Sequence, residues 1–491
     1  MKSIAVIGIC TLLLTGCAIG PVSPLRVQSV SAAEGGLPPE SIINLIGGPG
    51  WDDSRNAKCD SLGSCWLFGY TNKSFGGSTD FLVVHLVPSG KPDWARTYGG
   101  TNWDEMLYAT TTNDHGALLV GMTESLFYTA LKIISPHKPP RPLIVRIDEK
   151  GDVVWVMAMD LYPTMPTERL EFHNALQLAD GGFLLAGIYQ VAKENNEPRT
   201  GENGWTWSGA TPSFSADGYN TMALARLSAD GHVIWLKRYA IGTADTAAWG
   251  VHEDVDGHLT VLAYDTEKGD LIWVHLNSDG HVLNAQLMTQ PTVAYPFMYA
   301  APDGGETIVG WSRVRRSQSS QVKNGVFAAS YDSIGKLRWA KEYAYVSPMA
   351  PFSAAYASDG TLCIAALINS GDQSRAIALA LDSEGQLKGT LKLGDKKPTE
   401  FSGVSGLGNA KCLLFGDTFD YGAQNADLLT VVWNLAKGSL SITPDITSTN
   451  VQLTMEPIEL GEATADITNL YLLPVSLLNV VVIPVDRNTQ H

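Results

Sequence analysis

One phrase recurs along this chain and constrains its fold more than any other feature: a glycine, three residues, a tryptophan and a short strand-like run. It occurs at Gly90–Trp94, Gly151–Trp155, Gly231–Trp235 and Gly335–Trp339, with weaker copies from Gly280 and Gly385, where Asn284 and Gly389 replace the tryptophan. A β-type run precedes each strong copy, such as Phe81-Leu82-Val83-Val84 or Leu143-Ile144-Val145, so each copy marks a hairpin. A second phrase alternates with it, an Asp-led turn leading into an apolar strand. Its copies are Asp114 to Gly121, Asp180 to Gly187, Asp303 to Gly310 and Asp359 to Ala366. Together the phrases define units of four strands, a to d, in about 50 residues, which predicts propeller blades rather than a helical solenoid.

Innermost strands are expected to start near Asp52, Asp104, Leu170, Ala247, Tyr295, Phe352 and Phe401, giving an all-β, seven-bladed propeller over residues 41–439. Gly47-Gly48-Pro49-Gly50-Trp51-Asp52 aligns without a gap on Gly99-Gly100-Thr101-Asn102-Trp103-Asp104. Residues 41–47 should therefore be a strand d with no a, b or c before it. The blade around 401–435 supplies those three, and pairing there would close the ring and remove two sheet edges. The joins Trp94 to Gly100 and Gly121-Met122-Thr123 resemble the β-propeller repeats of bacterial extracytoplasmic proteins.

Residues 1–16 have the form of a secretory signal: a Lys2 start, an apolar run from Ile4 to Leu14 and small residues before Cys17. The run is too short to span a bilayer. Leu14-Thr15-Gly16-Cys17 closely resembles the bacterial lipobox. That resemblance implies cleavage before Cys17, lipidation of Cys17 and, with Ala18 next, sorting to the outer membrane. Residues 17–40, with four prolines and no periodicity, are expected to be a flexible tether.

The formal charge of −16 excludes nucleic acid as a natural partner, and Arg313, Arg315 and Arg316 sit in a Ser/Gln-rich stretch that suits a solvated loop. Cys59 and Cys65 flank a turn, where they either form a disulfide or stay as buried thiols, whereas Cys363 and Cys412 lie in apolar strands as packing residues. No Cys-x-x-Cys pair points to a zinc or redox site, and no cofactor motif occurs.

Long b–c connections on one rim are the expected binding region. They carry Phe127 and Tyr128 in one blade, and Trp205, Trp207 and Phe214 in the next. These aromatics suit a sugar ring or a protein partner, or a private core for their own loops. No catalytic residue or metal ligand is assigned. Asp52, Asp104, Asp245 and Glu168 near blade entrances are expected to hold neighbouring turns, because the position repeats between blades. Residues 440–491 leave the repeat, and the uncharged run from Ile467 to Val485 suggests either two strands on the propeller flank or a segment for a partner's sheet edge.

Two functions follow. The first is an anchored scaffold or assembly subunit that binds an envelope protein or glycan, an architecture similar to lipoprotein propellers that help assemble outer-membrane proteins. The alternative is a glycan-acting hydrolase or lyase with convergent carboxylates at the top of the channel.

Overall fold

The computed structural model describes residues 26–30, 42–125, 140–159, 168–191, 220–314, 323–435, 446–464, 470–473 and 479–483, apart from short turns within these runs. Seven antiparallel sheets form a ring. Their innermost strands are Trp51–Cys59, Asp104–Thr111, Glu168–Gln177, Thr246–Glu253, Val293–Ala300, Met349–Tyr356 and Thr399–Leu407, which begin blades 1 to 7. Each start lies within a few residues of the expected one. No helix occurs among the described residues.

Ring closure follows the predicted register. Ile42–Gly47 pairs antiparallel with Asp427–Asn434, strand c of blade 7, so that blade is built from both ends of the chain. The b and c strands are buried on both faces because each blade packs against two neighbours. In blade 2, Ala117–Thr123 and Arg141–Ile147 contain no exposed residue. The core therefore lies between blades: Trp66, Phe68, Val83 and Tyr98 of blade 1 cluster with Met106, Leu119, Val145 and Val156 of blade 2.

The recurring Gly-x-x-x-Trp phrase is an inter-blade clasp. The turn glycine of one blade receives the tryptophan of the blade before it. Trp94 packs on Gly151, Trp155 on Gly231, Trp235 on Gly280 and Trp339 on Gly385. The indole of Trp155 donates to Ala229 O at 3.0 Å and that of Trp339 to Ser383 O at 2.9 Å. A tyrosine four residues on adds a second bond: Tyr98, Tyr239 and Tyr343 donate to the carbonyls of Gly151, Gly280 and Gly385 at 2.6–2.7 Å. Where Asn284 replaces tryptophan, the following glycine, Gly335, has nothing within 4 Å. Most of these turns are also held by their own Asx side chain; Asp148 Oδ1, for example, accepts from the amides of Lys150 and Asp152.

Two expectations need correction, for residues 26–30 and for Cys363 with Cys412. Arg26–Val30, inside the stretch read as a tether, is a strand that pairs with Ile42–Gly47 and gives blade 7 a fifth strand. Its Arg26 guanidinium binds Asp427 at 2.6 Å, a carboxylate with no exposed surface. Cys363 and Cys412 form a disulfide between the b strands of blades 6 and 7 rather than serving only as packing residues. Cys59 and Cys65 are bonded across their hairpin, which settles the two alternatives for that pair.

The C-terminal region is also more extensive than two strands. Thr447–Asn450, Thr454–Pro457, Gly461–Thr464, Leu470–Leu473 and Asn479–Ile483 pair in turn with the outer strands of blades 5, 4, 3, 2 and 1. The tail is thus a belt that retraces the ring backwards and adds to this chain's own sheet edges. Among the described residues only blade 6 has four strands.

Candidate functional site

The ring encloses a cavity of about 800 Å³, lined by all innermost strands but chiefly those of blades 1, 5, 6 and 7. It is reached through the starts of a strands and the ends of b strands, for example Asp53, Trp311, Asn369 and Asp417. This is the face from which the long b–c connections also emerge.

One local device builds the lining. Every innermost strand carries a β-bulge near its start, so one extra residue per blade is turned toward the axis. The extra residues are Arg55, Leu107, His173, Trp249, Tyr295 with Pro296, Phe352 and Ser402. Except for Pro296, all of them line the cavity. Tyr295 adopts φ 49°, a conformation that bulky residues rarely hold and that this double insertion imposes. Opposite most bulges the b strand has a glycine, because the bulged backbone approaches too closely for a side chain. A Cβ at Gly187 or Gly416 would run into the carbonyl oxygen of Glu171 or Glu400.

The bulges divide the cavity into two arcs. On blades 4 to 6 the extra residues are Trp249, Tyr295 and Phe352, and Phe297 and Trp311 join them. Trp249 meets Tyr295 edge-on with ring centroids 5.2 Å apart, and Tyr295 stacks with Trp311 at 6.1 Å. Tyr295 and Phe352 keep 37% and 39% of their surface exposed, so this aromatic wall is open to a ligand.

On blades 7, 1, 2 and 3 the residue two before the bulge is acidic, Glu400, Asp53, Glu105 and Glu171, and of these Glu400 and Asp53 line the cavity. Asp417 joins them as the cross-strand partner of Glu400. Arg55 ties part of this arc together, binding Glu105 at 2.5 Å and Met106 O at 3.0 Å and lying 4.0 Å from Asp53. Its guanidinium also covers the Tyr70 ring at 4.8 Å, while the Tyr70 hydroxyl donates to Asp53 at 2.9 Å. Arg169 pairs with Glu171 on blade 3.

Burial pushes the carboxyls of Asp53, Glu105, Glu400 and Asp417 upward. Asp417 is raised to about 8 by loss of solvent and by repulsion from Asp53 and Glu400, against a hydrogen bond donated by Ser54 at 2.8 Å. Asp53 and Glu400 are raised for the same leading reason, with Arg55 opposing the shift at Asp53 and Ser374 opposing it at Glu400. Burial, with Arg169 nearby, lowers His173 to about 3, so it is a neutral imidazole stacked 4.3 Å from Trp249. The site therefore combines acceptor oxygens, a protonated acid and exposed π faces.

Phe127, Tyr128, Trp205, Trp207 and Phe214 lie outside the described residues, as do Cys17 and the side chain of Glu168. Asp52 and Asp104 hold entrance turns as expected, accepting from the amides of Gly48 at 3.0 Å and Gly100 at 2.7 Å. Asp245 likewise accepts from Asn220 N at 2.7 Å. His252 and His258 are separated, the first beside Glu306 at 3.4 Å and the second beside Asp254 at 3.4 Å. The lining of the cavity was missed because it is written by bulges; the acid two residues ahead, in blades 1, 2, 3 and 7, was the available signal.

No protein family matches the chain, and no curated protein does either. Solved structures that it resembles include a protein of unknown function from Dyadobacter fermentans, 10% identical over 67% of this chain and 95% of that one, with a TM-score of 0.40. The polysaccharide lyase Uly1 is 8% identical over 78% and 90%, with a TM-score of 0.40. The intramolecular trans-sialidase from Ruminococcus gnavus is 12% identical over 80% and 96%, with a TM-score of 0.35. Likenesses this distant assign no chemistry to this chain.

Proposed function

We propose that the protein is a lipid-anchored, extracytoplasmic propeller that binds a saccharide in this cavity. The observation that carries this reading is the division of the cavity into an aromatic and an acidic arc. A pyranose offers C–H faces that stack on rings and a rim of hydroxyls that donate to carboxylates, and Trp249, Tyr295 and Phe352 share the cavity with Asp53, Glu400 and Asp417 to meet both. Two disulfides support an oxidising compartment. The Leu14-Thr15-Gly16-Cys17 sequence supports the anchor, and its resemblance supports the outer membrane as the location.

Calorimetric titration of the purified full-length protein with neutral, amino and acidic oligosaccharides tests the binding. Saturable binding of one class is expected, weakened about tenfold or more in Trp249→Ala. Binding to none of them refutes the reading. The anchor is tested by labelling cells with an alkyne fatty acid: label on the wild type and none on Cys17→Ser is expected, and an unlabelled wild type refutes it.

Hydrolysis in the same cavity is favoured by one observation, the cross-strand pairing of Asp417, an acid raised to about 8, with Glu400. Release of new reducing ends by the wild type but not by Asp417→Asn would establish it. Unchanged ligand recovered after prolonged incubation would leave binding as the whole function.

A further inference from the structure

We infer that the saccharide is one carrying a free, protonated amine, an amino sugar rather than a neutral, N-acylated or acidic one. This rests on the saccharide reading and adds the charge of the ligand to it.

Three carboxyls, Asp53, Glu400 and Asp417, stand together at the blade 7–blade 1 junction on the cavity wall. Their partners are mainly neutral. Ser54 donates to Asp417 at 2.8 Å, Tyr70 donates to Asp53 at 2.9 Å, and Ser374 hydrogen-bonds Glu400. Arg55 is 4.0 Å from Asp53 but holds Glu105 more closely, at 2.5 Å. Lys58 is the other cation of the lining, three residues further along the same strand. Repulsion from Asp53 and Glu400 raises the proton affinity of Asp417, and repulsion from Asp53 raises that of Glu400, in each case after burial. A ligand ammonium placed among them relieves that repulsion and supplies the donors they lack.

An independent group points the same way. Asn56, 7% exposed and on the cavity wall, gives its amide to Ala109 O at 2.7 Å and leaves its side-chain oxygen without a hydrogen-bond partner. A buried acceptor left open beside a carboxyl cluster calls for a donor-rich ligand. The facing aromatic wall suits a cation as well as a sugar face, since ring quadrupoles attract positive charge.

The test is calorimetry on the full-length protein in detergent with glucosamine, N-acetylglucosamine, glucose and uronic-acid oligomers of one length and linkage. The glucosamine oligomer is expected to bind at least about tenfold more tightly than the other three. In Glu400→Gln, a neutral replacement of the same shape, that preference should shrink toward unity, and an undiminished preference in the folded variant overturns the inference. Thermal melting verifies that the variant is folded, and Asp53→Asn serves in its place if it is not. Equal or tighter binding of the N-acetyl, neutral or acidic oligomer overturns the inference and leaves the saccharide reading standing. Binding of none overturns both.

Discussion

The disulfide between Cys363 and Cys412 offers the sharpest quantitative test of how the ring is held. It joins two b strands across the blade 6–blade 7 boundary, with both residues fully buried, and closes a loop of 49 residues in sequence. Cross-linking removes entropy from the unfolded chain in proportion to the logarithm of that loop, so a 49-residue separation corresponds to about 4 kcal/mol at 25 °C. Cys59–Cys65 provides an internal comparison. Its separation of 6 residues gives about 2 kcal/mol by the same relation. The paired variant Cys363→Ala with Cys412→Ala should therefore lose about twice the stability lost by Cys59→Ala with Cys65→Ala. Urea unfolding followed by tryptophan fluorescence measures both, with and without reductant. In each paired variant, reductant should remove only what the remaining disulfide contributes. Equal losses for the two pairs, or no loss for the longer one, would refute the loop-entropy argument and show that the blade 6–7 boundary is held by packing alone.

Gly416→Ala should destabilise the protein by about 3 kcal/mol or more and weaken ligand binding with it, because a Cβ there collides with the Glu400 carbonyl and displaces the blade 7 bulge. Chemical denaturation and calorimetry read the two effects, and a variant with wild-type values in both would remove the bulge from the account of the site. Asp80 and Asp104 form a buried pair between blades 1 and 2, raised by burial to about 8 and about 6, with Asp104 adding to the shift at Asp80. A carboxyl whose folded pKa is raised stabilises the fold while protonated, and that contribution is lost as pH climbs from its unfolded value toward its folded one. Asp80→Asn should thus be stabilising on the alkaline side, by about 1–3 kcal/mol, with the gain appearing between about pH 4 and about pH 8. A pH-independent difference in melting temperature would contradict this.

Much of the architecture was legible because a propeller repeats its grammar. The Gly-x-x-x-Trp phrase marked the hairpins, and the gapless alignment of Gly47–Asp52 on Gly99–Asp104 marked the closing strand. What that phrase does was not legible, since Trp94 clasps Gly151 of the next blade and no spacing within one blade reveals it. The bulges escaped for a related reason. One extra residue in a strand does not disturb an apolar pattern that is nearly continuous, so Trp249 and Phe352 look like ordinary core residues in the sequence. The belt is written in strands of four or five residues, and Thr447–Asn450 is exposed throughout, leaving no periodicity to detect. Pairing between Cys363 and Cys412 could not be deduced from cysteine positions alone.

The backward course of the belt brings the chain home. Its first described strand, Arg26–Val30, lies on blade 7, and its last, Asn479–Ile483, lies on blade 1, the adjoining blade of a closed ring. Both ends therefore leave from one flank, and the molecule is close to being a circle in sequence as well as in space. Such a chain is suited to circular permutation, with a short linker joining the old ends and new ones cut into a turn such as Asp254–His258. The aromatic wall of blades 4 to 6 lies largely on the part of the ring turned away from that flank.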